Sequence, residues 1–157
     1  MKNIELVDSK DIEYITCEEV TQEEVKDIIT YVVPQMEGIV SSLKGYGLAA
    51  PQVGIKKKFF IMMNEKNKYD LYFNAKYFKE GSRYKSTEGC LSYDLGKRYN
   101  EVKRYKGIKA SYQTLDENGR LVNKTEKMKG LRARGFQHET DHCGNGPEAL
   151  SITIFTK

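Results

Sequence analysis

The sequence predicts an α+β fold: one small domain of mixed or antiparallel strands packed around a central helix that carries His-Glu-x-x-His. Three observations predict it. Apolar residues recur at three- and four-residue steps between Thr21 and Lys44, short β-type runs follow from Lys58 to Lys124, and a helical pattern returns before His142. Helix, several strands, then helix is the order of an α+β domain rather than a βαβ repeat. With 157 residues and no internal repeat, low-complexity tract or Pro/Gly-rich linker, residues 1–157 read as a single domain.

In the first helix, Thr21 stands three residues before Glu24, the spacing of a capping box. Val25, Ile28, Ile29, Val32, Val33, Met36, Ile39, Val40 and Leu43 form its apolar face, Pro34 should kink or interrupt it, and Gly45 and Gly47 end it. Phe59–Met63 and Asp70–Phe78 read as strands around the polar turn Asn64–Lys68. Further strands are expected at Lys97–Tyr105 and at Gly107–Leu115, where Ile108, Ala110, Tyr112 and Thr114 alternate with other residues. The turn Asp116-Glu117-Asn118-Gly119 then leads into Arg120–Lys124. Thr125 can cap the second helix, with Met128, Leu131, Gly135, His138 and His142 on one face. Gly144, Gly146 and Pro147 should stop it, and Ala149–Lys157 reads as a final strand.

The composition, 39% hydrophobic and 31% charged, is that of a globular protein and excludes wholesale disorder. No apolar run approaches the roughly 20 residues that cross a bilayer, and the mixed, acidic start is unlike a signal or transit peptide, so the expected location is cytoplasmic. Cys17, Cys90 and Cys143 include no C-x-x-C pair, which argues against a disulfide framework. Nine acids against three lysines fill residues 1–30, so the rest of the chain is more basic than the overall +4. Such a body can be drawn weakly to RNA or a ribosome surface, but it reads first as a lysine-rich solubilising surface, because no motif for sequence-specific nucleic-acid binding accompanies the charge.

Both histidines lie in His138-Glu139-Thr140-Asp141-His142. Four residues apart on a helix, two imidazoles converge on one cation, and Glu139 can reach a water there without being a ligand. Asp141 reads equally as a solvated acid or as a partner that orients an imidazole. A catalytic divalent metal usually takes three protein ligands and keeps one position open. Cys90, in Glu88-Gly89-Cys90-Leu91-Ser92, offers a thiolate suited to ferrous iron or zinc, although alone it reads more readily as a buried small hydrophobe. Gly45-Tyr46-Gly47-Leu48-Ala49-Ala50-Pro51-Gln52 allows a ligand close to the backbone and ends in an amide donor. By itself it is a small-residue turn packed on a helix.

Taken together, the three segments resemble the hallmarks of the peptide deformylase family, G-x-G-L-A-A-x-Q, E-G-C-L-S and Q-H-E-x-D-H, in the family's order. The resemblance implies a metallohydrolase that removes the N-formyl group from formyl-methionine at the start of new polypeptides. Cys90, His138 and His142 would hold one divalent metal, Fe2+ in the cell, with Zn2+, Ni2+ or Co2+ able to replace it. Glu139 would be the general base and then acid, while the Gln52 amide and the Leu91 N–H would meet the developing oxyanion. Gly45 and Gly47 would line the cleft for the formyl-methionyl peptide. Glu88 would support a ligand; read alone it is a surface ion pair, with Arg98 or Arg104 as its partner. The sequence departs from the family at Cys143, where leucine is usual, and at Ala75, where proline often follows asparagine.

Three rivals stand beside this reading. A closed Cys₂His₂ structural site would recruit Cys143, although helix neighbours point about 100° apart. A zinc endopeptidase would take a third ligand downstream of the motif, where Glu148 is available but no histidine. An inactive homologue could serve as a binding protein, yet every expected catalytic residue is present.

Overall fold

A computed structural model describes residues 3–6, 17–89 and 99–144 of the chain. Thr21 opens the first helical region, its N–H donating to Glu24 Oε1 at 3.0 Å, as the capping-box spacing predicts. The region is α1 (Gln22–Asp27), a π-helical turn (Ile28–Val32) and α2 (Val33–Ser42). The Val33 N–H reaches back five residues to Ile28 O. Pro34 therefore follows a widened turn rather than a sharp break, because widening makes room for a ring that has no N–H and crowds the preceding carbonyls.

Among the described residues seven strands follow: β1 (Gly47–Ala49), β2 (Phe59–Met63), β3 (Tyr69–Lys79), β4 (Arg83–Gly89), β5 (Tyr99–Tyr105), β6 (Gly107–Leu115) and β7 (Leu121–Lys129). Five make an antiparallel sheet in the order β1-β2-β3-β6-β7, and β4 pairs with β5. The α+β expectation holds. Of the expected strand from Lys97, the part at 97 and 98 lies outside the described residues, while β4 is an addition. The expected final strand, Ala149–Lys157, lies outside them too, as do the stop residues Gly146 and Pro147.

The largest correction concerns Thr125, which caps no helix. It sits in β7 opposite Ser111, and the helix, α3, runs Gly130–His142. The Asp116 carboxylate fixes the hairpin by accepting the N–H groups of Asn118 (2.8 Å) and Arg120 (2.9 Å), and Gly119 takes φ 75°. That turn sets a register in which all of Leu121–Lys129 pairs with Gly107–Leu115, and the pairing overrides the helix preference of the lysine- and glutamate-rich stretch. The expected apolar face changes accordingly: Met128 is a buried strand residue, and Leu131 is 44% exposed.

Two cores flank the large sheet. Val25, Ile28, Val32, Met36 and Val40 from the first helical region pack on Leu48, Phe59, Ile61 and Phe73. On the opposite face, Ala133 and Phe136 of α3 pack with Phe60, Tyr72, Ala110 and Tyr112. Phe136 meets Phe60 and Tyr72 edge to face, at ring centroids of 5.4 and 5.6 Å. Gly135 lets α3 approach, since a Cβ there would lie 2.6 Å from Tyr46 Cε1 and 3.0 Å from Met62 Sδ. The helix thus lies against strands of both sheets.

Candidate active site

From Gly135 to His142 every residue of α3 is buried, although six of the eight are polar or charged. Such burial is costly unless each group finds a partner or a ligand, so where the bonds go is diagnostic. The Gln137 amide pairs with the backbone of Tyr105 as a strand would, accepting its N–H at 2.8 Å and donating to its carbonyl at 2.9 Å. This bond fastens the second sheet to the helix.

His138 Nδ1 lies 2.8 Å from Glu88 Oε1, so the ring N–H donates there and Nε2 keeps its lone pair. That Nε2 lies 3.1 Å from His142 Nε2. Two imidazole nitrogens at about 2.1 Å from one cation would stand about that far apart, so the pair fits a shared metal ion. Glu139 completes the cluster, the three ligand atoms lying within 4.8 Å of one another. Burial pushes the His138 imidazole down to about 4, against the pull of Glu88, which leaves the neutral, ligating form at neutral pH.

Glu139 is 1% exposed, and its Oε1 has no hydrogen-bond partner among the described residues. Burial raises its carboxyl well above the ordinary value, and the Glu88 charge adds to the rise. A buried carboxyl oxygen left open beside two converging imidazoles suits a proton acceptor facing a water or a metal. Gly47 makes the room, since a Cβ there would lie 2.7 Å from Glu139 Oε2.

Glu88 is held from behind. The Arg104 guanidinium forks onto it, Nη2 to Oε1 at 2.8 Å and Nε to Oε2 at 3.1 Å, and Nη1 donates to Asp141 Oδ2. Burial alone would raise the Glu88 carboxyl, yet the bonds from His138 and Arg104 hold it well below the usual range. Arg104, 1% exposed, is the expected partner of Glu88, whereas Arg98 lies outside the described residues. Asp141 is buried rather than solvated, with bonds to groups other than the imidazoles. It accepts from Arg104 and, at 2.9 Å, from the Tyr77 hydroxyl. No sequence signal singled out Tyr77; it is one aromatic among many in a strand.

Gln52 is buried in a 3-10 turn (Ala50–Val53) just after β1. Its Oε1 accepts the Ala49 N–H at 2.9 Å, which fixes the amide and leaves donation to its nitrogen. The expected small-residue turn is thus partly a strand. Gly45 is buried too, its carbonyl accepting the Tyr69 hydroxyl at 2.9 Å. Cys90 and Leu91 lie outside the described residues. Cys143 is buried with Sγ 3.8 Å from Phe59 O and is absent from the imidazole cluster. The closed Cys₂His₂ rival therefore lacks its second thiol.

A small α+β domain with a buried His-Glu-x-x-His helix braced by strands is the arrangement of a metal-dependent hydrolase. Comparison with known proteins gives the particular family. The model of the family described as polypeptide deformylase matches residues 1–147, and the chain belongs to that family. A peptide deformylase of Flavobacterium psychrophilum is 32% identical over 158 residues, covering 90% of this chain and 77% of the relative. The crystal structure of the Thermotoga maritima peptide deformylase is similar with a TM-score of 0.77 at 28% identity, covering 98% of this chain and 99% of that one. That of the Synechococcus elongatus enzyme, in complex with actinonin, gives 0.75 at 32% identity, covering 92% and 76%.

Proposed function

We propose that this single catalytic domain, residues 1–157, works through Cys90, His138 and His142 as holders of one metal ion and Glu139 as the proton carrier. The activity is the family's, removal of the N-formyl group from formyl-methionyl peptides with release of formate. The observation that carries the residue roles is the buried imidazole pair, 3.1 Å between Nε2 atoms, with the open Glu139 Oε1 beside it. A metal bound there would supply Lewis-acid chemistry, easing ionisation of water and polarising the formyl carbonyl. Cysteine and imidazole donors suit ferrous iron in the cell, and zinc, nickel or cobalt in purified protein.

The chain's own groups do the rest. Glu139 takes a proton from the attacking water and returns it to the leaving amine. The Gln52 amide and the Leu91 N–H donate to the oxyanion as it forms, typically about 3 kcal/mol for one such donor. The backbone of Gly45 and Gly47 borders the substrate's path, and a groove of about 630 Å³ opens beside Tyr46, Met63 and Leu131, where the rest of the peptide would run. No helix among the described residues is long and apolar enough to cross a membrane. A cytoplasmic place fits, and the basic body favours weak attraction to the ribosome where such peptides emerge.

The ligand set is tested by metal content. Protein purified without oxygen should hold one metal per chain, and Cys90→Ser, His138→Ala and His142→Ala should each lose it while Cys143→Ala keeps it. Full retention in Cys90→Ser would remove Cys90 from the ligand set.

A further inference from the structure

Behind the imidazoles runs a chain of hydrogen bonds, buried up to its half-buried last link to Tyr77, that ends on the large sheet. The Tyr77 hydroxyl donates to Asp141 Oδ1 (2.9 Å), and Asp141 Oδ2 accepts from Arg104. Arg104 forks onto Glu88, which accepts from the His138 ring. Glu88, Arg104, Asp141 and His138 are each at most 2% exposed, so water is a poor substitute for a lost partner. Among the described residues, Arg104 is the guanidinium that bonds both carboxylates, Glu88 and Asp141, while Arg134 Nε stands 4.0 Å from Glu88 Oε2. By giving Asp141 a further donor from β3, Tyr77 eases its demand on that guanidinium.

We propose that Tyr77 is a positioning residue for the metal centre, its hydroxyl holding Asp141 so that Arg104 stays on Glu88 and Glu88 keeps the His138 ring aimed. Without the hydroxyl, Asp141 draws the guanidinium toward itself, and Glu88 loses part of the fork that fixes its angle to the imidazole. The effect reaches the metal through four residues, Asp141, Arg104, Glu88 and His138, so metal retention moves first. This inference rests on the reading of His138 as a ligand.

The test follows release of zinc from the zinc-loaded full chain into excess chelator. Tyr77→Phe removes one oxygen and keeps the ring in its core. Tyr112→Phe is the control, because Tyr112 donates to Glu126 at 2.6 Å on the same sheet, outside the imidazole chain. Tyr77→Phe should release zinc about tenfold faster, with Tyr112→Phe within about twofold of the parent at a similar loss of melting temperature. Asp141→Asn removes the charge that competes with Glu88 for Arg104, so it should not accelerate release, and it is the background in which the hydroxyl's effect should vanish. The double variant should release no faster than Asp141→Asn alone, because the hydroxyl acts only through Asp141. Unchanged release from Tyr77→Phe, or equal acceleration by Tyr112→Phe, overturns the proposal while the metal reading stands. A parent that binds no zinc overturns both.

Discussion

Gly47 of β1 and Glu139 of α3 are packed so closely that a single added methyl on the glycine would lie 2.7 Å from Glu139 Oε2 and 3.0 Å from Ile61 O. The backbone oxygen cannot move away, so the carboxylate must. Gly47→Ala should therefore keep its metal but displace the proton carrier, lowering kcat about 100-fold, the usual size of a misplacement near 1 Å. Steady-state kinetics on the metal-loaded variant check this, and activity within about threefold of the parent would show that the carboxylate position does not matter.

Glu88→Gln preserves shape but removes one charged partner of Arg104 in a dry site. Breaking such a buried pair costs about 3–5 kcal/mol, and the loss of a bond to a metal-binding imidazole weakens metal affinity about 10- to 100-fold. Urea unfolding and chelator competition measure the two losses separately.

The fold and the site were legible to different degrees. The convergence of His138, Glu139 and His142 was legible because it depends on fixed spacing along one helix, whereas Cys90 and Leu91 lie outside the described residues. Thr125 misled because its neighbours favour helix, while the decision belonged to the hairpin at Asp116–Gly119 and the partner strand β6. Tyr77, Arg104 and Asp141 meet only through tertiary structure, at separations of 37 and 64 residues from Asp141, which no periodicity reports. The choice between Arg98 and Arg104 as the partner of Glu88 was likewise open until β4 and β5 paired.

Acid sensitivity should come partly from Glu126. Its carboxyl lies below the ordinary 4.5 because Arg132 forks onto it at 2.7 Å through both terminal nitrogens. A lowered folded-state pKa stabilises the fold above that ordinary value, and the contribution is lost as pH falls below 4.5 toward the folded value. The melting temperatures of the parent and Glu126→Gln should thus differ most near neutrality and converge on acidification below about pH 4. A gap that stays constant with pH would contradict the assignment.

Cys143→Ala tests packing apart from chemistry. The thiol is buried among apolar residues, where burial raises its pKa well above the ordinary thiol range. Its removal should cost about 1 kcal/mol of stability, the value of a small buried apolar group, and leave metal content unchanged. Loss of metal would revive the closed-site reading.

The central claim, deformylation with Glu139 as the proton carrier, is tested most directly by formate release from formyl-Met-Ala-Ser. The protein is purified without oxygen and measured beside Glu139→Ala with its metal verified. Release by the parent, with none detectable from the metal-loaded variant, is the predicted result. No release from a parent holding one metal per chain, or undiminished release from Glu139→Ala, would contradict it.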